Sequence, residues 1–137
     1  MAPVKGLGHV GIYVRDLALS ADPASVDHEI ALFRGRPDGA EPHSINQISL
    51  RVATLDDLRV FHRRLVAEGL RIDAVVNHVS ALGCYYFDPE GNRSEVFWLT
   101  GRACWVPIVH LIDIEQPDEA VLAEVDRLWE RLRHVGM

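Results

Sequence analysis

The sequence predicts an α+β fold, and three observations carry that prediction. Between Ile45 and Trp98 the hydrophobic pattern runs strand, helix, strand, strand, strand, its period changing from two residues to between three and four and back. Ahead of this βαβββ unit stand only two strand-like segments, which look like the first and last strands of a similar unit. Behind it, an amphipathic helix closes the chain. The expected architecture is therefore a pair of βαβββ modules in one domain over 1–137. The first module (6–36) is shortened, the second (43–100) is complete, and a helix (117–135) is appended.

Each element has a local reason. Gly8-His9-Val10-Gly11-Ile12-Tyr13-Val14 alternates, with His9, Gly11 and Tyr13 on one face and Val10, Ile12 and Val14 on the other. His28–Phe33 is the second candidate strand, after a turn marked by Asp22-Pro23. Arg36-Pro37-Asp38-Gly39 to Pro42 is a cluster of turn formers. Ile45–Val52 makes a third strand, with Gln47 and Ser49 on one face and Ile48, Leu50 and Val52 on the other.

Thr54 is placed to cap a helix over 55–68, whose start is complemented by Asp56 and Asp57. Its apolar stripe is Leu55, Leu58, Phe61, Leu65 and Val66, and Gly69 supplies the C′ residue. Ile72–Val76 is a strand. Gly83–Phe87 and Ser94–Trp98 flank Asp88-Pro89-Glu90-Gly91-Asn92 as a hairpin. Gly101–Pro107 is irregular. The closing helix, Asp118–His134, has Val121, Leu122, Val125, Leu128, Trp129 and Leu132 on its apolar face.

Composition narrows the function. The chain has 137 residues, 48% hydrophobic and 25% charged, enough to bury a core without disulfides or structural zinc. A net charge of −6 argues against nucleic acid or an anionic membrane surface as partner, since both need a concentrated positive face. Cys84 and Cys104 lack CxxC spacing and read as reduced thiols. No secretory h-region and no apolar run of membrane length is present, so a cytoplasmic protein is expected.

A site with two imidazoles and one carboxylate suits iron or manganese and leaves positions open for substrate and oxygen. His9 on the first strand and Glu95 in Ser94-Glu95-Val96-Phe97-Trp98 are the residues to weigh. A carboxylate in so apolar a stretch is costly to bury unpaired. Either alternation turns Glu95 to solvent, opposite Val96 and Trp98, or it binds a cation; spacing alone decides neither. Among the remaining candidates, His43, His62 and His110 have no companion at ligand spacing, and His62 shares a solvated helix face with Arg59. Arg63-Arg64 reads as solvated and His134 as a helix-end charge. Cys84 reads as a small strand hydrophobe. Gly6-Leu7-Gly8 opens no helix after a strand, so it implies no dinucleotide site.

Gly6-Leu7-Gly8-His9-Val10, Val14-Arg15-Asp16-Leu17 and the run Tyr85–Trp98 together resemble the vicinal-oxygen-chelate superfamily. That group includes glyoxalase I, fosfomycin and bleomycin resistance proteins, and type I extradiol dioxygenases. His28-Glu29-Ile30-Ala31-Leu32 and the Asp-Pro-x-Gly-Asn-Arg-x-Glu-Val-Phe hairpin are most similar to the catechol 2,3-dioxygenases and their one-domain relatives. The resemblance implies metal ligation by His9 and Glu95, a second-shell acid–base role for His28, and a substrate hydrogen bond from Tyr85. It also places His78 near a polar pocket segment. The implied cofactor is Fe(II), with Mn(II), Zn(II) or another divalent ion as alternatives, and the implied partners are a catecholic substrate and O2.

The chain departs from the family pattern twice. Where a second metal-binding histidine is expected, it has Gln47, a weaker donor that could ligate through its amide oxygen; His28 could instead enter the coordination shell. The stretch between Val14 and His28 is also too short for a helix and two strands. Sheet edges left open by that shortening lead to the expectation of a homodimer. The leading functional expectation is extradiol ring cleavage. The alternatives are a glyoxalase-like lyase or isomerase with a non-redox metal, and a metal-free binding module of the bleomycin-resistance type.

Overall fold

The computed structural model describes residues 3–14, 30–34, 45–104 and 106–133. Alternation in the strand-forming segments produces β1 (Val4–Val14), β2 (Ile30–Arg34), β3 (Ile45–Val52), β4 (Arg71–Asn77), β5 (Ala81–Phe87), β6 (Arg93–Leu99) and the two-residue β7 (His110–Leu111). They form one mixed sheet in the order β2-β1-β3-β6-β5-β4-β7. The expected βαβββ unit is present as β3, α1 (Leu55–Ala67), β4, β5 and β6.

Pairing also reproduces the expected first-and-last-strand relation. β1 lies parallel to β2 as β3 lies parallel to β6, and β1 and β3 meet antiparallel. This is an α+β fold whose second unit is complete.

α1 is capped at its start by Thr54, as expected. Thr54 Oγ1 accepts from Asp57 N at 3.0 Å and Asp57 Oδ2 accepts from Thr54 N at 3.2 Å, a reciprocal capping box. Gly69 takes φ +72 just beyond the Glu68 cap, a conformation costly for any residue with a Cβ. The sheet face carrying Val52, Leu82, Cys84 and Val96 packs with Leu55, Leu58 and Leu65 of α1 and with Val121 and Val125 of α2 (Asp118–Arg133). Ile112 and Ile114 join the same core.

Several expectations need correction. Val66 is 54% exposed and not part of the α1 stripe, whereas Arg59, expected on a solvated face, is buried. Its Nε donates to Ile114 O at 2.5 Å, Nη2 to Gln116 O at 2.7 Å and Nη1 to Asp118 at 2.5 Å. The guanidinium therefore terminates the carbonyls leading into α2, a partner set that lies far along the chain. His62 is likewise drawn to Glu115, its Nδ1 3.1 Å from Oε1. β1 starts at Val4 because Val4 pairs with Val52, and β7 is too short to show a period. His28, His43 and His134 lie outside the described residues.

Candidate active site

The hairpin turn sets the register from which the site is built. Asp88 Oδ1 accepts from Glu90 N at 2.9 Å and Asn92 N at 2.8 Å, while Oδ2 accepts from Asn92 Nδ2 at 2.9 Å. These bonds close the turn so that Tyr85 pairs with Glu95. The parallel β3–β6 ladder then sets Ser49 beside Glu95, and the antiparallel β1–β3 ladder sets His9 beside Ser49. One row of side chains, His9–Ser49–Glu95–Tyr85, thus crosses four strands. Gln47 and Arg93 lie two residues from Ser49 and Glu95, on the same face by strand alternation.

This face forms one wall of a cavity of about 800 Å³. His9, Gln47, Glu95, Arg93, Tyr85 and His78 make its polar part. Val76, Phe97, Leu99, Val106, Pro107 and Val109 make much of the rest. Glu95 is 2% exposed, so alternation turns it into the cavity and not to solvent, while Val96 faces the core. Its Oε2 accepts from Ser49 Oγ at 2.6 Å and from Gln47 Nε2 at 3.3 Å, and lies 3.6 Å from His9 Nε2. His9 Nε2 is 2.9 Å from Ser49 Oγ and 3.1 Å from Gln47 Nε2.

Two glycines make room for this arrangement. A Cβ at Gly83 would overlap Glu95 Oε1, and one at Gly8 would overlap the Phe97 ring. Phe97 in turn packs against the His9 imidazole, centroids 5.8 Å apart.

The second polar group is His78 with Tyr85. His78 Nδ1 lies against the Ile108 carbonyl, which can only accept, so Nδ1 carries the proton and Nε2 the lone pair. Tyr85 Oη is 2.9 Å from that Nε2 and donates to it. Burial first, then the charge of Glu95, pushes the Tyr85 phenol well above its usual range, against a lowering by Arg93. Tyr85 is therefore a neutral donor. Arg93 stacks over its ring at 4.2 Å, while its Nε donates to Asp73 at 2.9 Å and its Nη1 to Gln47 Oε1 at 2.6 Å.

Of the residues singled out from sequence, His9, Gln47, Glu95, Tyr85 and His78 come together, and His28 lies outside the described residues. Ser49 and Arg93 were missed, although each shares its strand face with a chosen residue. Cys84 faces the core. Burial, and secondarily the Glu95 charge, pushes its thiol up to about 12, which fits its reading as a strand hydrophobe. His9 and Glu95 offer a nitrogen and an oxygen at a separation that two ligands of one ion can span. Gln47, as it stands, presents an NH2 group there. Among the described residues there is no group of three or more His, Cys, Asp or Glu able to hold a metal ion. Nor is any described helix long and apolar enough to cross a membrane.

No family model matches the chain, and no curated protein matches it. Solved structures do match its fold. The Mn(II)-bound glyoxalase from Novosphingobium aromaticivorans aligns with TM-score 0.57 and 18% identity, over 72% of this chain and 40% of that one. A catechol 2,3-dioxygenase aligns with TM-score 0.54 and 20% identity, over 81% and 49%. An extradiol ring-cleaving dioxygenase from B. fuscum aligns with TM-score 0.55 and 14% identity, over 78% and 36%. The chain spans less than half the length of each of these structures.

Proposed function

Given a chain with the fold of the vicinal-oxygen-chelate superfamily, we propose that the cavity is the site of a divalent-metal-dependent extradiol ring-cleaving dioxygenase acting on a small catecholic substrate. The observation that carries this reading is Glu95. It is a buried carboxylate at the polar wall of a cavity, 3.6 Å from an imidazole nitrogen, with the His78–Tyr85 pair beside it. Among the described residues no lysine or arginine forms an ion pair with it, and a buried carboxylate so placed is suited to a cation.

His9 and Glu95 are the residues that would hold the ion, with Fe(II) the proposed metal. The chemistry it would supply is polarisation of bound oxygens and, for iron, electron donation to O2. The chain's own residues account for the proton. Tyr85 donates to His78 Nε2, so a phenolic proton of the substrate can pass to the Tyr85 oxygen as the Tyr85 proton moves to Nε2. The Ile108 carbonyl against Nδ1 stabilises the imidazolium that results. Proton return on the same path makes the pair acid as well as base. The aliphatic and aromatic lining offers an apolar surface to the face of a planar ring.

Anaerobic reconstitution with Fe(II), followed by a panel of catechols and air, tests the proposal. Oxygen uptake with a yellow ring-fission product is expected. Turnover that proceeds with Mn(II) or Zn(II) and consumes no oxygen would point instead to a glyoxalase-like lyase or isomerase. The amide orientation of Gln47 favours a second reading, a metal-free binding module. Tight binding of an aromatic ligand without any metal uptake would establish it. A homodimer is proposed for either case.

A further inference from the structure

Resting on that metal-site reading, we propose that Arg93 is a positioning residue that holds the Gln47 amide in the orientation unable to ligate a cation. The orientation follows from hydrogen-bond chemistry. A guanidinium only donates, so the Gln47 atom 2.6 Å from Arg93 Nη1 is the amide oxygen. The opposite end of the amide faces Ser49 Oγ at 3.1 Å and Glu95 Oε2 at 3.3 Å. The carboxylate oxygen accepts, which again requires the NH2 group there.

Turning the amide over would bring its oxygen to His9 and Glu95, as a third ligand needs. The same turn would set the NH2 against the guanidinium, donor to donor, and the oxygen against the carboxylate, acceptor to acceptor. Both contacts oppose the change. Release of Arg93 removes the first conflict, and Asp73 already receives its Nε at 2.9 Å, so the guanidinium has a second anchor. A cation held by the Glu95 carboxylate would remove the second conflict, because its charge would offset the repulsion between the two acceptors. Among the described residues a cation is thus offered His9 and Glu95, with the Gln47 oxygen held in reserve by Arg93.

Titration with Mn(II) alone, read by the loss of the free-ion electron paramagnetic resonance signal, tests this without turnover. Five proteins are needed: wild type, Gln47→Ala, Arg93→Met, the double variant, and Glu95→Ala as control. In wild type, Gln47→Ala is expected to change affinity little. Arg93→Met frees the amide oxygen and is expected to tighten Mn(II) binding about tenfold, the scale on which groups behind metal ligands act. That gain must vanish when Gln47 is also replaced.

An equal gain with and without Gln47 would reduce the effect to removal of a positive charge and overturn the proposal. A large loss on Gln47→Ala alone would show the amide already ligating, and would overturn it too. Glu95→Ala separates the layers: binding that survives it, or that no variant shows, overturns the underlying metal-site reading as well.

Discussion

At the scale of the residue, Glu95 is held in place by what Gly83 lacks. A Cβ there would overlap Glu95 Oε1 and lie 3.4 Å from the Tyr85 ring, too close to the first for both to keep their places. Gly83→Ala is therefore expected to destabilise the fold by about 1–3 kcal/mol through overpacking. It should also displace the carboxylate, so urea denaturation would show the loss while Mn(II) uptake falls. Unchanged stability and uptake would mean that the carboxylate relocates freely. The sequence already paired His9 with Glu95 through resemblance, and alternation put Gln47 and Ser49 on one face. It could not show that His9, Ser49, Glu95 and Tyr85 fall in one cross-strand row. That row depends on three ladder registers between strands far apart in the chain. Arg93 stayed hidden for the same reason, since its partners Asp73 and Gln47 lie on other strands.

At the scale of the element, local signals were read best where the physics is local. The start and end of α1 follow from Thr54, Asp57 and Gly69, all within a turn of the helix ends. Arg59 shows the opposite case. Its position on α1 reads as solvated, yet it satisfies carbonyls of the segment entering α2. Arg59→Met should leave those carbonyls without their donor and cost about 2–4 kcal/mol. Urea unfolding monitored by tryptophan fluorescence would measure this, and a cost under about 0.5 kcal/mol, as for an ordinary surface substitution, would contradict it. α2 matters to the site at one remove. Trp129 Nε1 donates to Ala103 O at 3.2 Å and Arg102 Nε to Asp126 at 2.8 Å. These bonds anchor the segment whose residues Cys104, Val106, Pro107, Ile108 and Val109 wall the cavity.

At the scale of the whole molecule, the sheet begins at β2 and ends at β7. Beside and within β7, Val109 is 76% and Leu111 70% exposed, an apolar edge of the kind that pairs with another chain. Light scattering is expected to give twice the chain mass, and a monomer at micromolar concentration would contradict the edge argument. The βαβββ order was legible because each element carries its own period. The sheet order was not, since it is fixed by contacts between the two units. The central claim, that a cation is held where His9 and Glu95 converge, is tested most directly by equilibrium dialysis against Mn(II) with elemental analysis, on wild type and on Glu95→Ala. About one ion per wild-type chain, lost on replacement of the carboxylate that would ligate it, is the predicted result. No uptake by the wild type, or uptake undiminished in Glu95→Ala, would contradict it.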